Sequence, residues 1–495
     1  MGIISKQSLS GTIYSYIGVA LGFITTGLIL PRLLSTGEVG LLRLLVSYST
    51  LLAQFAVLGF NSVTVKLFPS FRDENNKHHG FLGLALLISL IGFIITIGVY
   101  LGFHYFIVSN AKEKSDLFVP YYYYVIPMVF FTLLFGIFDT YYRVLYNAVI
   151  GILYKEVVQR LLILAAILLY YFKVVDFHVM VIVYIIAISS PSLFLFFSLL
   201  KDKLLFIIPD FNFIDIKLRK EMTSVAFFGI IASYSGVLAV NIDIIMIDIL
   251  LGLSKAGIYT IAFYFGTLIL VPMRSMGKIS SVVIADAWKK DDRTTIMDIY
   301  RKSSISLSVI GLLLFIGVWG NIDNVFHLVG SAYSSGKYVI LFIGLANLTD
   351  NLLGVNPHII LNSKHYRWLS YLLLVYAGLL VITNLILIPT YGIVGAALAS
   401  FISKFLYNGL KYIFLYKTYH FQPFHYKHLF MFIFGFAAWA LSTLIPVLDS
   451  FVIDLLVRSL FISIAFLLPV YYFNISEDIN GKIQQLAKKI FASNT

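Results

Sequence analysis

The sequence predicts an all-α polytopic membrane protein of about fourteen transmembrane helices, arranged as two pseudo-symmetric six-helix lobes plus two C-terminal helices. Two observations predict it. Hydrophobic residues make up 60% of the 495 and charged residues only 12%, and mean hydropathy is +0.91. The apolar residues also fall into near-continuous runs of Leu, Ile, Val and Phe long enough to cross a bilayer. Alternating segments of the kind that build outer-membrane barrels are absent from these runs.

The expected spans are approximately 9–30, 40–68, 80–106, 118–142, 149–172, 177–200, 221–250, 256–284, 303–321, 335–360, 366–388, 392–416, 428–447 and 452–473. The first follows Lys6, lacks a small-residue cleavage site, and exceeds the length of a signal-peptide core, so it reads as a retained helix. The 33 Tyr and 43 Phe supply rings for the headgroup level. Cys is absent, which excludes disulfide and thiolate chemistry.

Charge placement sets the expected orientation. With the N-terminus cytoplasmic, all but eight of the 36 Lys and Arg fall on the inward side. Those eight are Arg32, Arg43, Lys112, Lys114, Lys173, Lys255, Lys337 and Arg458. Both termini are therefore expected in the cytoplasm, and the net charge of +12 is a topology signal rather than a nucleic-acid footprint.

Domain boundaries follow from the polar interruptions. An N-terminal lobe over 1–200 is joined by a cytoplasmic linker, 201–220, to a C-terminal lobe over 221–417. Two further spans occupy 428–473. The tail, 474–495, places Ile479, Ile483, Leu486 and Ile490 on one face with lysines elsewhere, as in a helix lying on an anionic membrane surface.

An internal echo supports the two lobes. Leu33-Leu34-Ser35-Thr36-Gly37-Glu38-Val39-Gly40-Leu41 aligns with Leu250-Leu251-Gly252-Leu253-Ser254-Lys255-Ala256-Gly257-Ile258 at a shift of 217 residues. The polar positions that follow also align. Arg43, Ser47, Thr50, Gln54 and Asn61 are spaced for one helical face of the second span. Thr260, Tyr264, Thr267, Arg274 and Lys278 occupy the eighth. A polar stripe is costly against lipid, so both stripes are expected to line a shared cationic cavity.

Carboxylates at membrane depth are rarer still. Asp243 on the seventh span and Asp350 on the tenth, flanked by Asn347 and Asn351, are the candidate ion-coupling groups. A helix–helix polar latch is the competing reading of Asp350. Lys404, Asn408 and Lys411 form a stripe on the twelfth span. His420, His425 and His428 share one loop without an acidic or Cys partner, and neither HExxH nor a phosphate-binding GxxxxGK[ST] occurs. No catalytic residues, metal or cofactor are assigned.

Three stretches together resemble the O-antigen-type polysaccharide-repeat-unit flippases of the multidrug/oligosaccharidyl-lipid/polysaccharide exporter superfamily. They are Leu30-Pro31-Arg32 through Gly40, Leu250-Leu251-Gly252 through Tyr259, and Asn384 to Pro389 followed by Tyr391-Gly392 and Gly395-Ala396-Ala397. Val39 departs from the aromatic usual before the first of these glycines. The resemblance implies a bacterial inner-membrane carrier, not an enzyme, that turns an undecaprenyl-diphosphate-linked oligosaccharide between leaflets by alternating access. Its partners would be that substrate, membrane lipids and a polysaccharide polymerase. Arg43, Arg274 and Lys278 then become phosphate candidates, and the stripe hydroxyls and amides would meet sugar. A drug/cation antiporter or a peptidoglycan-precursor carrier of the same superfamily, and a membrane-embedded glycan polymerase or ligase, are the alternatives.

Overall fold

The computed structural model describes residues 3–114 and 116–492, with side chains at all of these except 3–9, 110, 114, 274, 275, 278, 279, 483 and 486–492. Among the described residues there is no strand, and ten helices are long and apolar enough to cross a membrane. One of them, Arg367–Tyr419, is two expected spans joined at Gly392, whose φ of 60° and ψ of −139° suit only glycine. Thr383 and Ser403 hydroxyls meet at 3.0 Å, and the Tyr376 and Tyr407 rings stack at 4.9 Å, so the two arms run antiparallel. The remaining expected spans are interrupted or shorter. The fifth carries a π-helical turn over Leu153–Val158, the tenth breaks after Leu352, and the thirteenth is the 17-residue helix Tyr426–Ser442.

The chain divides into two compact units, residues 1–260 and 261–495. In the first, the Thr36–Ala56 helix opens with a reciprocal cap. Glu38 N–H donates to Ser35 Oγ and Ser35 N–H donates to Glu38 Oε2, the pairing that the spacing Ser-Thr-Gly-Glu supplies. The helix stops at Leu58 and Gly59, both left-handed with φ of 49° and 71°, and resumes as Phe60–Phe71. The 36-residue helix Ile216–Leu251 packs along both pieces.

The two echoed turns pack on each other. A Cβ on Gly40 would strike the Leu253 carbonyl, and one on Gly257 would strike the Thr36 carbonyl. Leu253 is the counterpart of Thr36 under the 217-residue shift, so the contact is reciprocal. Thr36 Oγ1 and Ser254 Oγ bond across it at 2.7 Å. Close approach of this kind needs residues without side chains.

The segment expected to be a linker, 201–220, lies inside the first unit and is anchored there. Its Phe206 carbonyl accepts from Gly83 N–H and its Asp210 N–H donates to the His79 carbonyl, while Phe213 stacks on the His79 ring at 3.7 Å. Beneath it, Phe71 and Phe81 meet edge to face at 4.8 Å, buried with Phe60 and Phe68.

In the second unit, the chain passes from the Leu253–Thr267 helix through one 3₁₀ turn, Leu268–Leu270, into the Val271–Lys289 helix, with Pro272 in its first turn. The helix Arg293–Gly320 carries the two C-terminal helices, Tyr426–Ser442 and Phe451–Tyr472, on a core that includes Leu312, Ile316, Met431, Ile462 and Phe466. Glycines admit both: Gly435 lies against Leu312, and Gly320 against Ile462.

Candidate functional site

In the first unit the polar stripe begins at Arg43. A guanidinium inside a span must find partners, and Arg43 Nη2 donates to Asn241 Oδ1 at 3.3 Å. Asn241 is itself fixed by Nδ2 donating to the Val237 carbonyl at 2.9 Å. Two residues on, the buried Asp243 carboxylate accepts from the Tyr259 hydroxyl at 2.6 Å. The hydroxyls of Tyr184 and Tyr259 lie within electrostatic reach of Arg43. A guanidinium has five N–H donors, and an oxyanion of planar or tetrahedral geometry is the ligand such a fork best recognises.

The rest of the stripe is less uniform than its spacing. Ser47 is fully buried and its hydroxyl has no hydrogen-bond partner. Thr50 donates to the Val46 carbonyl of its own helix at 2.7 Å, and Gln54 is half-buried. Asn61 departs from the expectation of one continuous helical face. The break at Leu58–Gly59 puts it on the next helix, where its amide lies against Gly136.

In the second unit Tyr264 is half-buried, and Thr267 Oγ1 donates to the Tyr264 carbonyl at 2.8 Å. The helix then passes through the 268–270 turn, so residues before and after it do not follow one helical period. The side chains of Arg274 and Lys278 lie outside the described residues.

Asp350 is the centre of a polar cluster. Its Oδ2 pairs with Lys404 Nζ at 2.7 Å and its Oδ1 accepts from Asn408 Nδ2 at 2.9 Å. Lys404 also donates to Asn347 Oδ1 at 2.7 Å, and the buried Lys411 lies over the Tyr407 ring at 4.3 Å. The flanking amides have a separate task. Asn347 Nδ2 donates to the Gly266 carbonyl at 2.9 Å, and Asn351 Nδ2 to the Ile269 carbonyl at 3.0 Å. Those carbonyls sit where the α-helix gives way to the 3₁₀ turn, and in hydrocarbon a freed carbonyl must be satisfied from a neighbouring helix.

Sequence reasoning placed Lys404 and Asn408 in a stripe without assigning them a site. Their signal was complementary spacing: Lys404, Asn408 and Lys411 at intervals of four and three face Asn347, Asp350 and Asn351 at three and one. Asp454 and Arg458 were also missed as a pair, although an acid and a base four apart in an apolar helix is a recognisable pattern. His425 and His428 close the start of the Tyr426–Ser442 helix: the Lys427 N–H donates to His425 Nδ1 and the His425 N–H to His428 Nδ1.

A family model described as polysaccharide biosynthesis protein matches residues 5–284, more than half of the chain. The chain belongs to this family. No curated protein matches it in sequence. Among solved structures, this polysaccharide biosynthesis family member shares its fold with the lipid II flippase MurJ in an inward closed conformation. The TM-score is 0.72 and the identity 14%, over 94% of this chain and 98% of that one. An inward-facing multidrug resistance MATE transporter of the MOP superfamily matches with a TM-score of 0.57 and 15% identity, over 85% of this chain and all of that one. A point mutant of the Vibrio cholerae MATE transporter VcmN matches at 0.53 with 13% identity, over 84% and 97%. The expected all-α polytopic fold and the resemblance to the flippases of this superfamily are both borne out. The protein is a multi-pass membrane protein with a transporter fold.

Proposed function

We propose that this protein is a flippase that carries a lipid-linked oligosaccharide repeat unit of the undecaprenyl-diphosphate, O-antigen type across the bacterial inner membrane by alternating access, with both termini cytoplasmic. The observation that carries the reading is the coincidence of two facts. The family is one of polysaccharide biosynthesis, and the fold is shared along 94% of the chain with the lipid II flippase MurJ. The chemistry is compatible. Arg43, presented inside a span, suits the diphosphate, and the half-buried Thr50 and Gln54 of the same unit offer hydroxyl and amide groups to sugar, whereas the fully buried Ser47 does not. Tyr264 is proposed as a sugar contact on its sequence position alone. Arg274 and Lys278 are proposed as further phosphate ligands on their sequence positions alone. Asp243 and Asp350 are proposed as the groups through which an ion gradient acts. The bias of Lys and Arg among the loops supports the orientation.

The test is leaflet-resolved accumulation of the lipid-linked repeat unit in cells deleted for the gene. Trapping on the cytoplasmic leaflet with loss of surface polysaccharide is expected. Unchanged glycan with altered sensitivity to cationic dyes would make the protein an antiporter instead, and accumulation on the outer leaflet would make it a polymerase or ligase.

A further inference from the structure

A cavity remote in sequence from the polar stripes lies within the second unit at the end where the Arg293–Gly320 and Tyr426–Ser442 helices finish and Phe451–Tyr472 begins. Its volume is about 530 Å³, inside the range of roughly 300–1,000 Å³ typical of small-molecule sites. Two of the chain's four tryptophans, Trp319 and Trp439, wall it.

Its floor is a fixed polar network. Arg458 grips Asp454 through Nε at 3.1 Å and Nη2 at 3.0 Å, and Nη1 donates to the Ser442 carbonyl at 2.7 Å. Asn324 Nδ2 donates to Asp454 at 2.6 Å, and Asn321 Nδ2 reaches Ser459 at 3.2 Å. All four of these residues, Arg458, Asp454, Asn324 and Asn321, are more than nine-tenths buried. The Arg458 charge is thus committed to a carboxylate and to the end of a helix, where it is favourably placed. Above this floor stand the exposed carboxylates Asp323 and Asp449, with Lys337 over the Trp319 ring at 5.8 Å.

This composition selects a ligand class. Three carboxylates and two cations line the cavity, and one of those cations, Arg458, is already paired with Asp454, which disfavours a diphosphate. Carboxylates accept from hydroxyls, and indole rings bury an apolar face at low entropic cost. We infer that this cavity binds a pyranose, neutral or amino-substituted, of the glycan that the protein exports; the identity of the glycan as cargo rests on the proposed function. In the proposed orientation the cavity opens on the outward side of the membrane.

The experiment is saturation-transfer difference NMR on the full chain, purified in a detergent without a sugar headgroup, with glucose, galactose, N-acetylglucosamine and N-acetylgalactosamine as probes. Saturation is expected to reach the ring protons of at least one of them. Apparent affinity should fall by about tenfold in Asp323→Ala, the effect of one lost bond to a charged group, and likewise in Asp449→Asn, a change of the same shape at an exposed side chain. Trp439→Leu should abolish the signal. Absence of transfer from all four sugars, equal transfer in the variants, or competition by inorganic pyrophosphate would overturn the inference. Absence of transfer in a protein whose deletion still traps lipid-linked glycan leaves the proposed function standing. Transfer in a protein whose deletion leaves that glycan normally distributed does the reverse.

Discussion

Gly40 and Gly257 each lie where a side chain would collide with the backbone on the other's side of the contact. The collision partners are main-chain oxygens, which cannot rotate away. Either glycine changed to valine should therefore force the helices apart and lower stability by about 1–3 kcal/mol, the usual result of overpacking. Thermal unfolding in detergent measures this. A melting temperature unchanged in both variants would mean that the helices do not cross this closely.

Asp350 and Lys404 are mutually dependent. Removing one leaves the other charged and largely buried, at a cost of about 3–5 kcal/mol. Asp350→Asn and Lys404→Met should each impair folding, and the double variant should recover most of the loss. A double-mutant cycle of expression level and melting temperature tests it. Additive losses would show that the two side chains act separately.

Asn351 serves the Ile269 carbonyl, and leucine, which has the same branching but no N–H, cannot. Asn351→Leu is expected to cost about 1–3 kcal/mol, the penalty of a buried group left unmet. Hydrogen exchange across the 268–270 turn should rise with it, whereas exchange elsewhere in the helix should not.

Arg43→Ala removes charge from the first unit without enlarging its apolar core. Transport of the lipid-linked unit should drop by about tenfold or more, given the strength of charge-assisted bonds to phosphate, with membrane insertion unaffected. Lysine at this position should restore only part, because it lacks the planar fork. Normal surface glycan in Arg43→Ala at native protein levels would remove Arg43 from the substrate site.

Asp292 caps the Arg293–Gly320 helix. Its carboxylate accepts from the Thr295 and Thr294 hydroxyls and the Thr295 N–H, which holds its pKa down to about 2. A depressed carboxylate stabilises the folded state fully above its ordinary titration near pH 4 and loses that contribution as pH falls towards 2. Protection of the Thr295 amide, taken relative to its intrinsic exchange rate at each pH, should fall over that interval and be low at every pH in Asp292→Ala. Protection that does not change with pH in the parent protein would contradict the cap.

The spans and the echoed turns were legible because both are written locally. Continuous hydropathy marks a crossing, Ser35 and Glu38 announce a helix start, and two Gly-containing turns 217 residues apart announce a repeat. The helix break at Leu58 was not, since no proline marks it and a lone glycine in an apolar run can continue a helix; Gly59 is instead left-handed, where a side chain would meet the Ala226 carbonyl. Similarly, Asn347 and Asn351 read as a stripe with Asp350, but one face serves Lys404 and the amides serve carbonyls about eighty residues away. Periodicity reports which residues share a face. It carries no record of what stands opposite.

The reversal at Gly392 has a bearing on how the protein is made. The chain reverses between Pro389 and Gly392, leaving Pro389, Thr390 and Tyr391 as the exposed residues of the connection. A connection this short gives ribosome-bound machinery no hydrophilic segment to push through the bilayer separately. The two arms are expected to enter the membrane together, as one preassembled wedge. An epitope tag placed between them would then disturb biogenesis rather than merely mark a loop.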